Sequence, residues 1–473
     1  MGPFSPKAPP GPGGHMKNRV GFLLSLAFVG QIAWAVPPDQ KRLPIGWSPD
    51  ERGRALTPDE AGIPPTGHIR SLGEWEEAES AMTLWTNPSL VRSLAHRGAV
   101  LLFADSRNDQ GWWDQWLDGH QIPKDRISYF IVQTDSIWVR DYGPWYILDG
   151  KGEFGMVHNT YNRPRPNDNR VAGYLARALG IPLFDTGLVH TGGNYYSDGL
   201  DNAFSSTLVY SENPSLSKDE VNSRMKAYLG VERYGTSKLA PGATIEHLDT
   251  FGKLVTPDTW VFSDFPEGSR YRADSEAYVR LLEGLTSPYG TPYRILRLRM
   301  RSVPGGSSER YRAYLNSFIS NRTLYYPIYG DEWDDEAKRI YEAAMPGYEI
   351  VGVDAENTEW GDSVHCRNRN LLKRDTLFIF PTIQATDAQV DILAEVVPSP
   401  GAELEGTPIA HVTVNQVAKN IPMTSLGERR YRARLDNAGP GTKITVYVEA
   451  KDTLGRLKTA PPAAPEMKIE WER

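Results

Sequence analysis

Cys366 is the only cysteine in the 473-residue chain. It stands in the run Glu359-Trp360-Gly361-Asp362-Ser363-Val364-His365-Cys366-Arg367-Asn368-Arg369. His365, Arg367 and Arg369 place positive charge around the sulfur, which favours the thiolate, the form that attacks. Gly361 and the polar residues after it point to a loop or strand end at a surface cleft. The same local sequence also accommodates an inert buried cysteine acting as a small hydrophobe. An export signal would favour the nucleophile, because exported proteins normally pair their thiols or lose them.

Three further stretches carry residues able to share chemistry with a thiol. In Ile137-Trp138-Val139-Arg140-Asp141-Tyr142-Gly143-Pro144-Trp145 the Gly-Pro turn puts Asp141 at a strand end facing a cleft, between the aromatic faces of Trp138 and Trp145. In His247-Leu248-Asp249 the H-x-D spacing on an extended segment aims both side chains at one face, because a strand repeats every two residues. A histidine beside a carboxylate is a general acid/base next to an ion anchor. In Ala313–Phe318 the amide of Asn316 interrupts an apolar strand. Each also fits a bland role: Asp141 in a surface ion pair, His247 as a satisfied core histidine, Asn316 as a strand-end cap. A metal is a further option for H-x-D, although no His-rich cluster lies near it in sequence.

The elements that position these residues alternate between β and α. From about residue 45 to 382, strand-like runs occur at Ala99–Ala104, Ile127–Val132, Leu183–Leu188, Thr259–Asp264, Tyr293–Met300, Tyr311–Ile319, Glu349–Asp354 and Thr376–Phe380. Helical periodicity occurs at Asn87–Arg97, Asp168–Leu179, Ser217–Leu229, Asp274–Leu285 and Asp334–Met345, with Ser217 and Glu220 forming a capping box. Five helices bracketed by strands fit a five-unit α/β array, with a doubly wound sheet as the alternative.

The two ends differ in texture. Residues 1–15 are rich in Pro and Gly, and from Met16 the pattern is that of a secretory signal peptide. Lys17 and Arg19 form its charged region, Val20–Ile32 its apolar stretch and Ala33-Trp34-Ala35 its cleavage site. About 13 apolar residues are too few for a bilayer span, so the mature chain is expected to begin near Val36, exported and without a membrane anchor. From 387 to 473, runs at Val390–Val397, Ile409–Val414, Arg429–Leu435, Lys443–Ala450 and Met467–Trp471 are separated by turn residues, as in an immunoglobulin-like β-sandwich without disulfides. This region carries no evident chemistry and reads as an appendage. A net charge of −7 with no basic block argues against nucleic acid as a partner.

Taken together, Trp138–Pro144, Gly192-Gly193-Asn194, His247-Leu248-Asp249, Tyr314–Ser317 and His365-Cys366 resemble, in order, the bacterial, Porphyromonas-type peptidyl-arginine deiminases. Agmatine deiminases are close relatives in the same guanidine-modifying pentein superfamily. The resemblance covers about residues 45–382 and implies a pseudo-fivefold α/β propeller with its site in the central cavity. It implies that Asp141 and Asp249 grip a guanidinium, that Cys366 attacks its carbon to give a covalent thiouronium, and that His247 is the acid/base. Asn316 would position the nucleophile, and Trp138 and Asn194 would contact substrate. The resemblance implies no cofactor and no metal; no EF-hand-type loop is present.

The substrate divides the family. The expected one is arginine in a peptide or protein, at its C-terminus, converted to citrulline and ammonia; agmatine is the alternative. Export and the β-sandwich favour the former. So does Asn162-Arg163-Pro164-Arg165-Pro166, because peptide-acting relatives hold a terminal carboxylate with a similar segment. On local grounds the segment is also a solvated turn with two exposed arginines. A papain-like protease lacks support around Cys366, and a binding module would tolerate loss of the catalytic set.

Overall fold

The computed structural model describes residues 43–472 apart from 241–244, 306–308, 356–357, 359, 387–388, 437 and 440. The leader and signal peptide expected at 1–35 lie outside the described residues, as does Glu359. Among the described residues no helix is long and apolar enough to cross a membrane.

Five small sheets share one connectivity. In each, a strand pairs antiparallel with a second, and a helix then carries the chain to a third strand parallel to the second. The simplest example is Gly252–Thr256 against Thr259–Asp264, with helix Arg272–Glu283 leading to Arg294–Arg299. The pattern recurs in Tyr196–Ser197, Asn202–Ser206 and Arg233–Ser237 around helix Lys218–Leu229. It recurs again in Phe318–Ser320, Thr323–Ile328 and Glu349–Asp354 around helix Asp334–Ala344. A fourth sheet joins Trp145–Leu148, Phe154–Thr160 and Leu183–Val189 around helix Val171–Leu179, with Arg70–Ser71 added at its edge.

The fifth sheet draws on both ends of the α/β region. Ala78–Thr83, Val100–Ala104 and Ile127–Ile131 run parallel, and Asn368–Leu372 pairs antiparallel with the first of them. Residues as far apart in sequence as Ala78 and Leu372 therefore close one ladder.

The helices begin where local chemistry satisfies their first N–H groups. Asn87 caps Pro88–Arg97, and Ser217 with Glu220 completes the capping box of Lys218–Leu229. Gly180 and Gly230 end their helices in the left-handed conformation, at φ 64° and 68°. One helix escapes the sequence pattern: Arg107–Gly119 buries Trp113 and Leu117, but Gly111 and three tryptophans obscure its period.

Two expected strands change identity. Most of Tyr311–Ile319 is turn and loop, and only Phe318–Ser320 is strand, because the Ala313–Asn316 backbone folds back on itself (Asn316 N to Ala313 O, 2.9 Å). The run expected at Thr376–Phe380 is Phe378–Ala385, which pairs with Gln389–Val397 and so belongs to the C-terminal sheets, across the boundary expected at 382–387.

Those sheets hold four and five strands, including Val417–Pro422, Thr424–Gly427 and Leu457–Ala460, which the sequence reading omits. The first two are largely exposed, so they lack an alternating apolar face. Phe378, Phe380 and Val397 pack in the same apolar cluster as Tyr142 and Leu371. Arg70 bridges to Glu395 at 3.0 Å and Arg456 to Asp375 at 2.5 Å.

Candidate active site

Six of the sequence-selected residues, in five turns, occupy one topological position. Each stands in a short turn just before the antiparallel strand that opens its sheet. Asp141 precedes Trp145–Leu148, Asn194 precedes Tyr196–Ser197, and His247 with Asp249 precedes Gly252–Thr256. Asn316 precedes Phe318–Ser320 and Cys366 precedes Asn368–Leu372. Equivalent strand ends from five sheets thus deliver their turns to a common point.

At that point the side chains touch. Cys366 Sγ lies 3.5 Å from Asp249 Oδ2 and receives a hydrogen bond from Asn316 Nδ2 at 3.2 Å. Asn316 Oδ1 accepts from the backbone N–H of His365 (2.9 Å) and of Cys366 (3.2 Å), so one amide fixes the nucleophile's backbone and its sulfur. His247 Nε2 sits 3.1 Å from the Thr191 hydroxyl, and its Nδ1 faces Asp141 Oδ1 at 3.6 Å. Asp141 Oδ1 accepts the Gly193 N–H at 3.1 Å. Asn194 Oδ1 accepts from Ser206 N and Leu248 N, tying the 192–194 turn to the 247–249 turn. It anchors the two turns to each other.

Gly193 is a residue the sequence reading placed in a motif without assigning a role. A Cβ there would lie 2.7 Å from Asp141 Oδ1, 2.8 Å from His247 Nδ1 and 3.0 Å from Asp249 Oδ2. Only glycine lets the backbone pass between the three.

Burial corrects two expectations. His247 and Asp249 do not alternate along a strand: His247 is extended, and Leu248–Thr250 is a 3-10 turn that brings Asp249 round. Cys366 is not at a surface cleft but fully buried, and its neighbouring cations do not favour the thiolate. Burial pushes its pKa well up, and the carboxylates of Asp249, Asp141 and Asp362 push it further. Arg367 is paired instead with Asp362, and Arg369 with the carbonyls of Pro144 and Arg140.

The other groups are tuned in keeping. Burial, then repulsion from Asp249, lifts Asp141 to about 7. Burial holds His247 down to about 4, against the pull of Asp249. Burial pushes Asp249 up, but the His365 hydrogen bond together with the charges of His365, His247 and Arg140 holds it below the usual carboxylate range. The empty-handed atoms are informative: Asp249 Oδ1 and His247 Nδ1 are buried without a hydrogen-bond partner. Buried polar groups are normally paired, so both atoms are poised for a polar ligand. With two carboxylates in the site, a cationic N–H donor fits best.

The remaining candidates lie around this centre. Trp138 donates from Nε1 to the Leu43 carbonyl (3.2 Å), and the Arg367 guanidinium lies 5.4 Å from its ring centroid. Arg163 and Arg165 are not exposed at a cleft mouth; both are buried. Arg165 is committed within the chain, donating to Glu51 Oε1 at 2.7 Å and to the carbonyls of Pro44 and Gly46. Arg163 lies over Trp47, donates to the Asn162 and Ile45 carbonyls, and leaves its Nε without a partner. Its charge acts on both Asp141 and His247, so of the two arginines it is the one that faces the chemistry.

Asp59, His158 and Asp185 also come together, with His158 Nε2 3.1 Å from Asp59 and 4.0 Å from Asp185. That group contains none of the residues above.

Comparisons with known proteins bear on the family and the fold. A Marinomonas sp. (strain MWYL1) protein named as an agmatine deiminase is 26% identical over 278 residues, covering 51% of this chain and 75% of its own. A Selenomonas ruminantium protein of the same name is 27% identical over 292 residues, 53% of this chain and 78% of its own. The solved agmatine deiminase of Enterococcus faecalis superposes with a TM-score of 0.57 at 21% identity, covering 65% of this chain and 96% of that one. The C. jejuni enzyme superposes with a TM-score of 0.55 at 22% identity, covering 64% and 96%. These structures share the mixed α/β fold. The family model for Porphyromonas-type peptidyl-arginine deiminase matches residues 71–371, which contain all five turns. The chain therefore belongs to the Porphyromonas-type peptidyl-arginine deiminase family and is an enzyme of the class that hydrolyses amidine C–N bonds.

Proposed function

We propose that this enzyme deiminates the guanidinium of arginine at the end of a peptide or protein, giving citrulline and ammonia through a Cys366 thiouronium. The observation that carries the reading is the pair of unpartnered buried atoms, Asp249 Oδ1 and His247 Nδ1, beside the Cys366 sulfur. A guanidinium is planar, cationic and forked, and two carboxylates gripping its N–H groups would hold its carbon against that sulfur.

The same charges account for activation. In the free site the thiol keeps its proton, since burial and the carboxylates of Asp249, Asp141 and Asp362 oppose a further negative charge. An arriving guanidinium reverses that field, and neutral His247 takes the proton as sulfur attacks the carbon. The resulting imidazolium returns the proton to departing ammonia. His247 then activates water to release the ureido product and restore the thiol. Asn316, donating to the sulfur, steadies it throughout.

Arg163, whose Nε has no partner and whose charge acts on Asp141 and His247, supports recognition of a substrate carboxylate, with one arginine rather than two as the clamp. A second reading is agmatine, which has no carboxylate. It is favoured by the internal commitment of Arg165 to Glu51 and by relatives that carry the agmatine deiminase name. We further read the five like sheets as a pseudo-fivefold propeller, the C-terminal sheets as an immunoglobulin-like sandwich, and the chain as exported.

Ammonia and ureido-product release from agmatine, free arginine, an arginine-ending peptide and its amide decides between the readings. The peptide reading expects the free-acid peptide to be preferred, and Arg163→Ala to erase that preference. A carboxylate contact contributes about 10- to 150-fold in kcat/KM. Equal rates on acid and amide, with fast agmatine turnover, transfer the assignment to agmatine. No turnover of any guanidine overturns both.

A further inference from the structure

Behind Asp249 lies a buried ionic cluster that the reaction above does not use. Glu74, in the loop between Arg70–Ser71 and Ala78–Thr83, meets groups on or beside the opening strands of four sheets. Its Oε1 accepts from Lys253 Nζ (2.7 Å) on the strand that follows His247 and Asp249, and from Ile319 N (2.9 Å) on the strand that follows Asn316. Its Oε2 accepts from His365 Nε2 (2.8 Å) and pairs with Arg140 Nη1 (3.2 Å), the neighbours of Cys366 and Asp141. One carboxylate thus binds the turns that carry Asp141, Asp249, Asn316 and Cys366.

His365 connects this cluster to the site. Its Nδ1 lies 2.7 Å from Asp249 Oδ2, and its Nε2 lies 2.8 Å from Glu74 Oε2. Both ring nitrogens therefore face carboxylate oxygens, and ionised carboxylates only accept. A neutral imidazole donates from one nitrogen alone, so two good hydrogen bonds require a proton on each. The other groups facing the ring are Arg140 and Lys253, which oppose its charge, and Tyr196, stacked at 5.7 Å. Burial, Arg140 and Lys253 together hold the ring's pKa below its usual value, against Glu74 and Asp249; the doubly protonated form rests on the two short contacts to carboxylate oxygens.

We infer that Glu74 is a positioning residue for this site: it holds His365 as a doubly protonated bridge that caps Asp249 Oδ2 and leaves Oδ1 to the substrate guanidinium. Without the bridge, Asp249 can rotate or take up a proton, and its grip on a cation is lost. Both of Glu74's oxygens receive two donors, so a glutamine cannot reproduce them: its NH2 must face either Lys253 or the His365–Arg140 pair. The inference rests on the deiminase reading for its ligand, but the protonation of His365 does not.

The test has two arms. Proton NMR of the imidazole N–H region, on uniformly ¹⁵N-labelled enzyme near pH 7, is expected to show two downfield ring N–H resonances that vanish together in His365→Gln. Glu74→Gln is expected to lose the Nε2–H resonance and to raise KM for the guanidino substrate about 10- to 100-fold, with kcat changed less than threefold. A folded Glu74→Gln with both resonances and an unaltered KM overturns the inference. If that variant does not fold, the wild-type spectrum decides: one or no His365 ring proton sinks the doubly protonated bridge. An enzyme showing both resonances yet inert towards every guanidine would instead refute the proposed function and leave the bridge standing.

Discussion

His247 Nδ1 faces Asp141 Oδ1 across 3.6 Å without a hydrogen bond between them, and the backbone of Gly193 passes beside both. The separation is too long for a direct bond and sets acid/base and cation anchor on one wall of the site. Their opposite tuning, His247 held low and Asp141 held high, means that near neutrality His247 is uncharged and Asp141 is about half ionised in the free enzyme.

This gives the pH dependence. Asp141 must be ionised to grip a cation, and burial with Asp249 beside it places its pKa at about 7. Below that value the free enzyme holds Asp141 protonated, so kcat/KM should fall about tenfold per pH unit towards acid and level off above about 7. Asp141→Asn should remove the limb along with most of the activity. A flat profile between pH 5 and 7 contradicts the assignment.

Cys366 should behave as a reluctant thiol until substrate arrives. Cys366→Ala is expected to lose activity by about 10⁴-fold or more while remaining folded. In the free enzyme, alkylation should be slow at neutral pH, because the thiol is buried and its pKa raised. A non-reactive guanidinium should acidify the thiol, read as an increase in its thiolate absorbance. Rapid alkylation of the free enzyme at pH 7 would refute this tuning.

Gly193→Ala tests the shared backbone passage. The added methyl must displace Asp141, His247 or Asp249, since each lies within 3.0 Å of it. Activity should drop about 100-fold or more, in line with small misplacements at a reacting centre, with thermal stability reduced as well. Activity within threefold of wild type would show that the turn yields without cost.

The Glu51–Arg165 pair should be structural. Both side chains are buried, and opposing its burial, Arg165 and Ser48 hold the Glu51 carboxyl at about 2 rather than 4.5. A depressed carboxyl stabilises fully above about pH 4.5, and that contribution fades as the pH falls towards 2. Glu51→Ala should cost about 3–5 kcal/mol by stranding the Arg165 charge. Denaturant melts at pH 7 and pH 3 check this: the gap between wild type and variant should narrow in acid. A variant as stable as wild type at pH 7 would show that water reaches Arg165.

The sequence by itself picked out the residues of the candidate site. Cys366, His247, Asp141, Asp249 and Asn316 were legible because each is a reactive or hydrogen-bonding type beside turn-forming residues. The five helices were legible because amphipathic periodicity is local. Tertiary structure decided the environment of each residue. Cations next to Cys366 in sequence turn away to Asp362 and to backbone carbonyls, while carboxylates from distant turns face it. Arg165 looked solvated because its partner, Glu51, lies 114 residues away. Glu74 carries no motif chemistry of its own, and its role arises from four turns meeting it. The strand Phe378–Ala385 left the α/β region for the same reason: strand identity depends on the pairing partner, and pairing is non-local. Residue type and short-range period are written along the chain, whereas burial and charge neighbourhood exist only once the five sheets have brought their strand ends together.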